Sequence, residues 1–193
     1  KLLEKVDNWC CIHGVNVEIV VNDWAVVEML HGKTTRLCPV LGTLLNKRKK
    51  DPRLSYLKGR LPDKDTGLLA ENSLNADFYQ KALEKNLGFV RYEWESCGYP
   101  QRFPEGKNSL HLPFYQTNTS QYCTLYAQYR EHNRGRQYLQ TECPGYCQMQ
   151  AFLYPEHLHM TGRYNSLFGV VLTVLQEPEA MGKMYGLCEM DRI

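Results

Sequence analysis

The sequence predicts an α/β fold built on parallel strands, and three neighbouring stretches carry that expectation. Val15-Asn16-Val17-Glu18-Ile19-Val20-Val21 is rich in β-branched residues and is closed by the polar Asn22, which reads as a buried strand. Trp24, Val27 and Leu30 then recur at helical spacing, with Asp23 as the capping residue and Gly32 as the stop. Arg36 to Leu41 is again short and apolar and is bounded by Gly42, a second strand. Strand, helix and strand joined by short links favour a parallel sheet.

The elements that follow are read in the same way. Asn46-Lys47-Arg48-Lys49-Lys50-Asp51-Pro52-Arg53 is a basic, proline-broken loop, and the chain up to Glu71 lacks periodicity, a long surface excursion. Asn75 is expected to cap a helix with Phe78, Ala82, Leu83 and Leu87 on one side and Gly88 as its stop. Phe89 to Trp94 alternates and reads as a third strand, followed by a loop over 98–108. Ser109 to Tyr115 is expected as one more strand, with Cys123 beyond it in an irregular stretch rich in Tyr and Thr. Leu158 to Met160 and Ser166 to Leu175 are apolar strand candidates joined by the turn-like Gly162-Arg163-Tyr164-Asn165. No repeat, low-complexity tract or linker divides the chain, so residues 1–193 are expected to form a single domain.

Composition narrows the class. Hydrophobic residues at 43% and charged residues at 23% are ordinary for a globular protein. A formal net charge of +2 gives no argument for nucleic acid or a membrane surface without a local cluster. No apolar run approaches the roughly 20 residues that span a bilayer, and no signal-peptide pattern opens the chain, so no membrane partner is expected. With 8 cysteines, the chain is poorer in them than small disulfide scaffolds are. Reduced thiols in a cytoplasmic setting are therefore the expectation.

The sharpest chemical signal is Cys143-Pro144-Gly145-Tyr146-Cys147, in which two turn formers let both sulfurs point to one centre. Cys123 lies upstream as a third thiolate. Soft thiolates suit zinc or an iron–sulfur cluster, and His157 and His159 leave a mixed Cys–His zinc site open beside unliganded buried cysteines. Arg130, His132, Arg134 and Arg136 crowd the same region, either as a solvated loop or as cations that stabilise an anionic cluster or hold an anionic substrate.

Several stretches together resemble the collagenase-like peptidase family: EIVVNDW over 18–24, PVLGTLLNKRKKDPR over 39–53, ECPGYCQMQAFLYPEHL over 142–158 and GRYNSLF over 162–168. The closing Met190-Asp191-Arg192-Ile193 also fits, and the stretches run in the expected order. The resemblance implies a (β/α) barrel, here N-terminally incomplete, with ligands gathered at the C-terminal ends of its strands. It implies an oxygen-independent hydroxylation protein acting on a small aromatic or RNA substrate, with a four-iron four-sulfur cluster on Cys123, Cys143 and Cys147. A partner subunit of the same family is implied as well. The fourth ligand is not selected among Cys10, Cys11, Cys38, Cys97 and Cys188.

Candidate catalytic residues follow from position. Asn22 and Asp23 sit where a strand meets a helix, Glu93 sits near the end of the third strand, and Arg134 lies near the cysteines. Asn46, Lys47 and Arg53 follow the second strand and are candidates for the same mouth. Two further readings stand beside the first: a metal-dependent peptidase with zinc on Cys143, Cys147 and a histidine, and a non-catalytic partner subunit with a structural metal. No Ser–His–Asp arrangement, HExxH helix or activated Cys–His pair is legible.

Overall fold

A computed structural model describes residues 1–54, 60–99, 101–136, 142–177, 179, 182 and 190–193. The chain opens with helix α1, Leu2–His13, which the sequence reading did not anticipate. Leu3, Val6 and Cys10 share its inner face and pack on the core, and Gly14 closes it in the left-handed conformation at φ 65°. Asp7 on the same helix accepts the Thr35 and Arg36 amides at 3.1 and 2.8 Å. That contact fixes the start of the second strand.

The parallel sheet is borne out. Strands β1 (Val17–Val21), β2 (Leu37–Leu41), β3 (Arg91–Glu95) and β4 (Lys107–His111) lie side by side in sequence order, every neighbouring pair parallel. Helix α2, Trp24–Leu30, links the first two and is capped by the Asp23 carboxylate, which accepts the Val26 amide at 3.0 Å. Trp24 itself is exposed; Val27 and Leu30 make the contact with the core. Met190 to Ile193 return beside β4, where Arg192 bridges Ser109 in parallel fashion and its carbonyl accepts the Leu110 amide at 2.9 Å.

The link between β2 and β3 holds more structure than its composition suggests. Helix α3, Asp63–Ala70, forms within the expected excursion, and Asn72 rather than Asn75 begins the capping region. Asn72 accepts the Leu74 amide while the Asn75 side chain accepts the Asn72 amide, a reciprocal capping box. Helix α4, Asp77–Leu87, then turns Leu83 inward and leaves Phe78 exposed. Tyr92 and Trp94 of β3 face the α4 side of the sheet. The Tyr92 hydroxyl donates to Glu84 of α4 at 2.9 Å, and the buried Trp94 indole donates to Asn108 at 2.8 Å.

The opposite face of the parallel sheet is polar. Arg91 donates to Glu18 at 3.1 Å, to Ser109 at 3.3 Å and to Asp191, and Arg192 donates to Glu18 at 2.9 Å. The Arg91 hydrogen bond holds the Asp191 carboxyl below its ordinary 3.8. Burial works to raise Glu18, but hydrogen bonds from Arg192 and Arg91 outweigh it and hold that carboxyl below its ordinary 4.5. Folded values lower than unfolded ones mean that stability from these groups is complete above the unfolded values and lost as pH falls through the folded ones. The unfolding free energy, measured in urea from pH 7 down to pH 3, is therefore expected to decline once pH drops below about 4.5. An Arg91→Met variant is expected to show a shallower acid decline, and an unchanged slope would remove these carboxylates as its cause.

The single strand expected over Ser109 to Tyr115 is instead two. Pro113 has no amide hydrogen to continue the ladder, and the chain leaves the parallel sheet there. Strand β5, Phe114–Thr119, belongs to a second, antiparallel sheet with β6 (Phe152–Leu153), β7 (Met160–Arg163) and β8 (Ser166–Val170), in the order β5-β8-β7-β6. Gly169 of β8 lies directly under the Tyr115 ring, where a Cβ would have no room. Cys123 is not in irregular chain: it caps helix α5, Thr124–Glu131. The apolar run after Ser166 bends at Val171 into a short helix α6, Thr173–Gln176.

The architecture is thus mixed α/β, a parallel sheet with helices beside an antiparallel sheet. Among the described residues no helix is long and apolar enough to cross a membrane.

Candidate functional site

The carboxyl ends of the parallel strands are where an open α/β sheet gathers chemistry, because the loops there are free to converge. In this chain the convergence is built by the loop after β2. Beyond Leu41 the chain turns at Gly42, whose amide donates to Val21 at 2.9 Å, while the Asn22 side chain accepts the Leu44 amide at 3.1 Å. Asn22 therefore ties the end of β1 to the start of this loop. The loop is then pinned a second time: Ser73 donates its amide to the Lys47 carbonyl at 2.9 Å, and the Lys47 amide donates to the Ser73 hydroxyl at 3.1 Å.

So held, the loop carries Arg48 and Lys50 inward to the last residue of β3, Glu95. Lys50 Nζ lies 2.6 Å from Glu95 Oε2 and Arg48 lies 3.6 Å from the same oxygen. The side chains of Arg48, Lys50 and Glu95 are 4, 14 and 11% exposed, so this is an interior charge cluster rather than a solvated one. Burial depresses the Lys50 ammonium from its ordinary value, and the attraction of Glu95 offsets that in part. Glu95 Oε1 accepts the Gln116 amide from β5 at 3.0 Å, which joins the two sheets at this point.

Polar groups with no hydrogen-bond partner among the described residues collect here. They are Arg48 Nη1 and Nη2, Asn46 Oδ1, Ser96 Oγ and Gln101 Oε1, all buried. Cys97, the second residue past β3, is buried as well, and burial pushes its thiol up. A cavity of about 680 Å³ opens beside the cluster. Asn46 to Arg48 and Lys50 to Arg53 form one wall, Gln116 to Thr119 of β5 another, and Tyr154, Leu158 and Met160 close it. That volume is in the range that encloses small organic ligands.

Cys123 and Cys147 lie on segments that meet the β7–β8 turn of the antiparallel sheet. Cys123 donates its thiol to the Tyr164 carbonyl at 3.7 Å and accepts the Tyr126 amide. Arg163 donates to the Cys147 carbonyl at 3.4 Å, so the turn Arg163–Asn165 contacts both flanking segments. The Tyr129 ring of α5 stacks on Tyr146 at 4.5 Å between centroids, which brings the Cys143–Cys147 segment against the helix that Cys123 caps. Cys143 is exposed, and its sulfur accepts the Gly145 amide at 3.4 Å, a contact local to its own turn.

Cys123, Cys143 and Cys147 are joined in no disulfide and are soft donors of the kind that hold zinc or an iron–sulfur group, and two of them lie on segments that touch one turn. Among the described residues, no three His, Cys, Asp or Glu side chains close round one point. Cys188 lies outside the described residues.

The turn adjoins the cavity along the sheet. Thr119, which lines the cavity, pairs with Ser166 immediately after the turn, and Gln116 donates to the Ser166 hydroxyl at 2.9 Å.

Asp23 caps α2, as its sequence position suggested. Glu93 lies in the middle of β3, with its carboxylate 3.2 Å from the His111 ring. Arg134 stands over the Phe152 ring at 5.6 Å, on the cysteine side of the molecule. The structure therefore does not bring Arg134 together with Asn22, Asp23 and Glu93. The residues that the sequence reading passed over are Arg48, Lys50 and Glu95. Their signal was present: a basic run directly after one strand, and a carboxylate at the end of another. Comparison of the chain with protein-family models, curated proteins and solved structures returns no match.

Proposed function

We propose that this chain is an iron–sulfur protein of the collagenase-like peptidase type, acting in oxygen-independent hydroxylation of a small aromatic or RNA substrate. In this reading the parallel sheet is part of a (β/α) barrel, which agrees with the sequential parallel order of its strands and the further parallel pairing of the tail beside β4. The observation that carries the proposal is the meeting of the Cys123 and Cys147 segments at one turn, Arg163–Asn165, that adjoins the cavity, with Cys143 four residues before Cys147.

Cys123, Cys143 and Cys147 would hold the cluster, which when bound supplies one-electron chemistry. The chain's own residues supply the rest. The cavity encloses the substrate, the loop over 46–53 presents positive charge to it, and Lys50 with Glu95 holds that loop in place. Gln116, bonded to both Glu95 and Ser166, couples the cavity wall to the turn that the Cys123 and Cys147 segments meet.

Iron and acid-labile sulfide in anaerobically prepared chain test the reading. About four of each per chain are expected for a [4Fe–4S] centre. Cys123→Ser, Cys143→Ser and Cys147→Ser are each expected to lower that content severalfold. One zinc with no iron would replace the cluster with a zinc site, and neither metal would end the proposal for this chain.

A further inference from the structure

Arg48 is the anomaly of the molecule. A guanidinium carries five N–H donors and stays charged at any physiological pH. The Arg48 side chain is only 4% exposed. Nevertheless, neither Nη1 nor Nη2 makes a well-formed hydrogen bond among the described residues, where its polar neighbours include the buried Cys97 thiol and Glu95. The carboxylate nearest to it, Glu95, is 3.6 Å away and is already engaged by Lys50 at 2.6 Å and by the Gln116 amide. A buried cation left in that state is costly, and water, an ion or a ligand that bonds to it removes the cost.

What arrives is constrained by the rest of the cavity. Its wall carries Lys47, Arg48, Lys50 and Arg53 against Asp51, with Glu95 behind them. Arg53 is paired with Asp51 at 2.5 Å and Lys50 with Glu95 at 2.6 Å, which leaves Arg48 only the longer 3.6 Å contact with the same carboxylate and Lys47 no ion pair among the described residues. Asn46 adds a buried side-chain oxygen, without a partner among the described residues, that can accept a hydrogen from a hydroxyl or a protonated oxyanion. The lining also offers apolar surface, from Leu44, Tyr154, Leu158 and Met160.

We infer that the cavity binds a small molecule with an apolar, aromatic-sized body and a carboxylate or phosphate group, and that Arg48 is the residue that receives the oxyanion. The guanidinium fork matches the two oxygens of either group, and charge-assisted bonds of this kind are the strong ones. The inference deepens the substrate side of the proposed function, rests on the same cavity and is independent of any cluster.

The test is calorimetric titration of the full chain with benzoate and with phenyl phosphate at constant ionic strength, with benzyl alcohol as the uncharged counterpart. Iron is assayed on the same sample, so that loss of anion binding and absence of a cluster are read separately. At least one of the two anions is expected to bind with a one-to-one ratio, and which one does so identifies the oxyanion; benzyl alcohol is not. Arg48→Met is expected to weaken binding by about tenfold or more, and Arg48→Lys by less, since it keeps the charge and loses the fork. Lys85→Met, on the exposed face of α4, is expected to bind like the parent. Without ligand, Arg48→Met is also expected to melt no lower than the parent, because it removes an unsatisfied buried cation. Binding that survives Arg48→Met undiminished, or no binding of either anion at millimolar concentration, overturns the assignment. So does a ligand-free Arg48→Met chain that melts well below the parent, which would make Arg48 a structural ion-pair partner.

Discussion

Glu95→Ala is expected to destabilise the chain by about 3 kcal/mol, the low end of what breaking a buried ion pair from one side costs. The effect comes from what is left behind rather than from what is removed. Without Glu95, the Lys50 ammonium at 14% exposure and the Arg48 guanidinium at 4% exposure face one another with no counter-charge. The Gln116 amide, which donates to Glu95 at 3.0 Å, loses its acceptor at the same time. Against a typical total of about 5–15 kcal/mol for a whole domain, that loss is large. Urea unfolding measures it. The double variant Glu95→Ala with Arg48→Met is expected to recover part of the loss, because one of the two stranded cations has gone. Additive losses in the double variant would mean that the two side chains do not share the electrostatic site described here.

Trp94→Ala is expected to cost about 3–5 kcal/mol, the range for emptying an aromatic site in a core. Trp94 is fully buried on β3, meets the Phe103 ring edge-on at 5.0 Å between centroids and donates its indole hydrogen to Asn108 at 2.8 Å. Truncation would open a cavity between the sheet and the segment that carries Phe103, and it would strip a donor from Asn108, itself buried on β4. Trp94→Phe keeps most of the volume and loses the hydrogen bond. It is expected to cost about 1–3 kcal/mol, the penalty of one unsatisfied buried polar group with a smaller ring. Equal losses in the two variants would assign the whole effect to the hydrogen bond and none to packing. Because Trp94 and Glu95 are adjacent on the strand and point to opposite faces, the pair also separates the core from the site: the first is expected to change stability alone, the second both stability and the anion site.

Much of the parallel half was legible because its signals are local. A β-branched run ending at Asn22, an Asp positioned to cap the next helix and a Gly to close α4 each act within a few residues of themselves, and each formed as read. The break at Pro113 had a local signal too, but the apolar alternation around it hid the change of sheet. Phe78 and Trp24 match the helical period as well as their buried neighbours do; only the placement of the sheet decides which of them it covers. The cysteines were legible as donors by their spacing, whereas the meeting of the Cys123 and Cys147 segments at the Arg163–Asn165 turn depends on strands paired across the second sheet.

By itself, then, the sequence determined that this protein is an α/β chain with parallel strands, a basic loop after the second of them and three thiols in its later part. Tertiary structure alone decided that Arg48 and Lys50 are interior charges. Lys50 meets Glu95 across 45 residues of chain, and no local pattern distinguishes a lysine that such a carboxylate will hold in the interior from one that water will. The reason is physical: propensity and capping are set by neighbours in sequence, while burial, charge pairing and the cavity they border are set by neighbours in space.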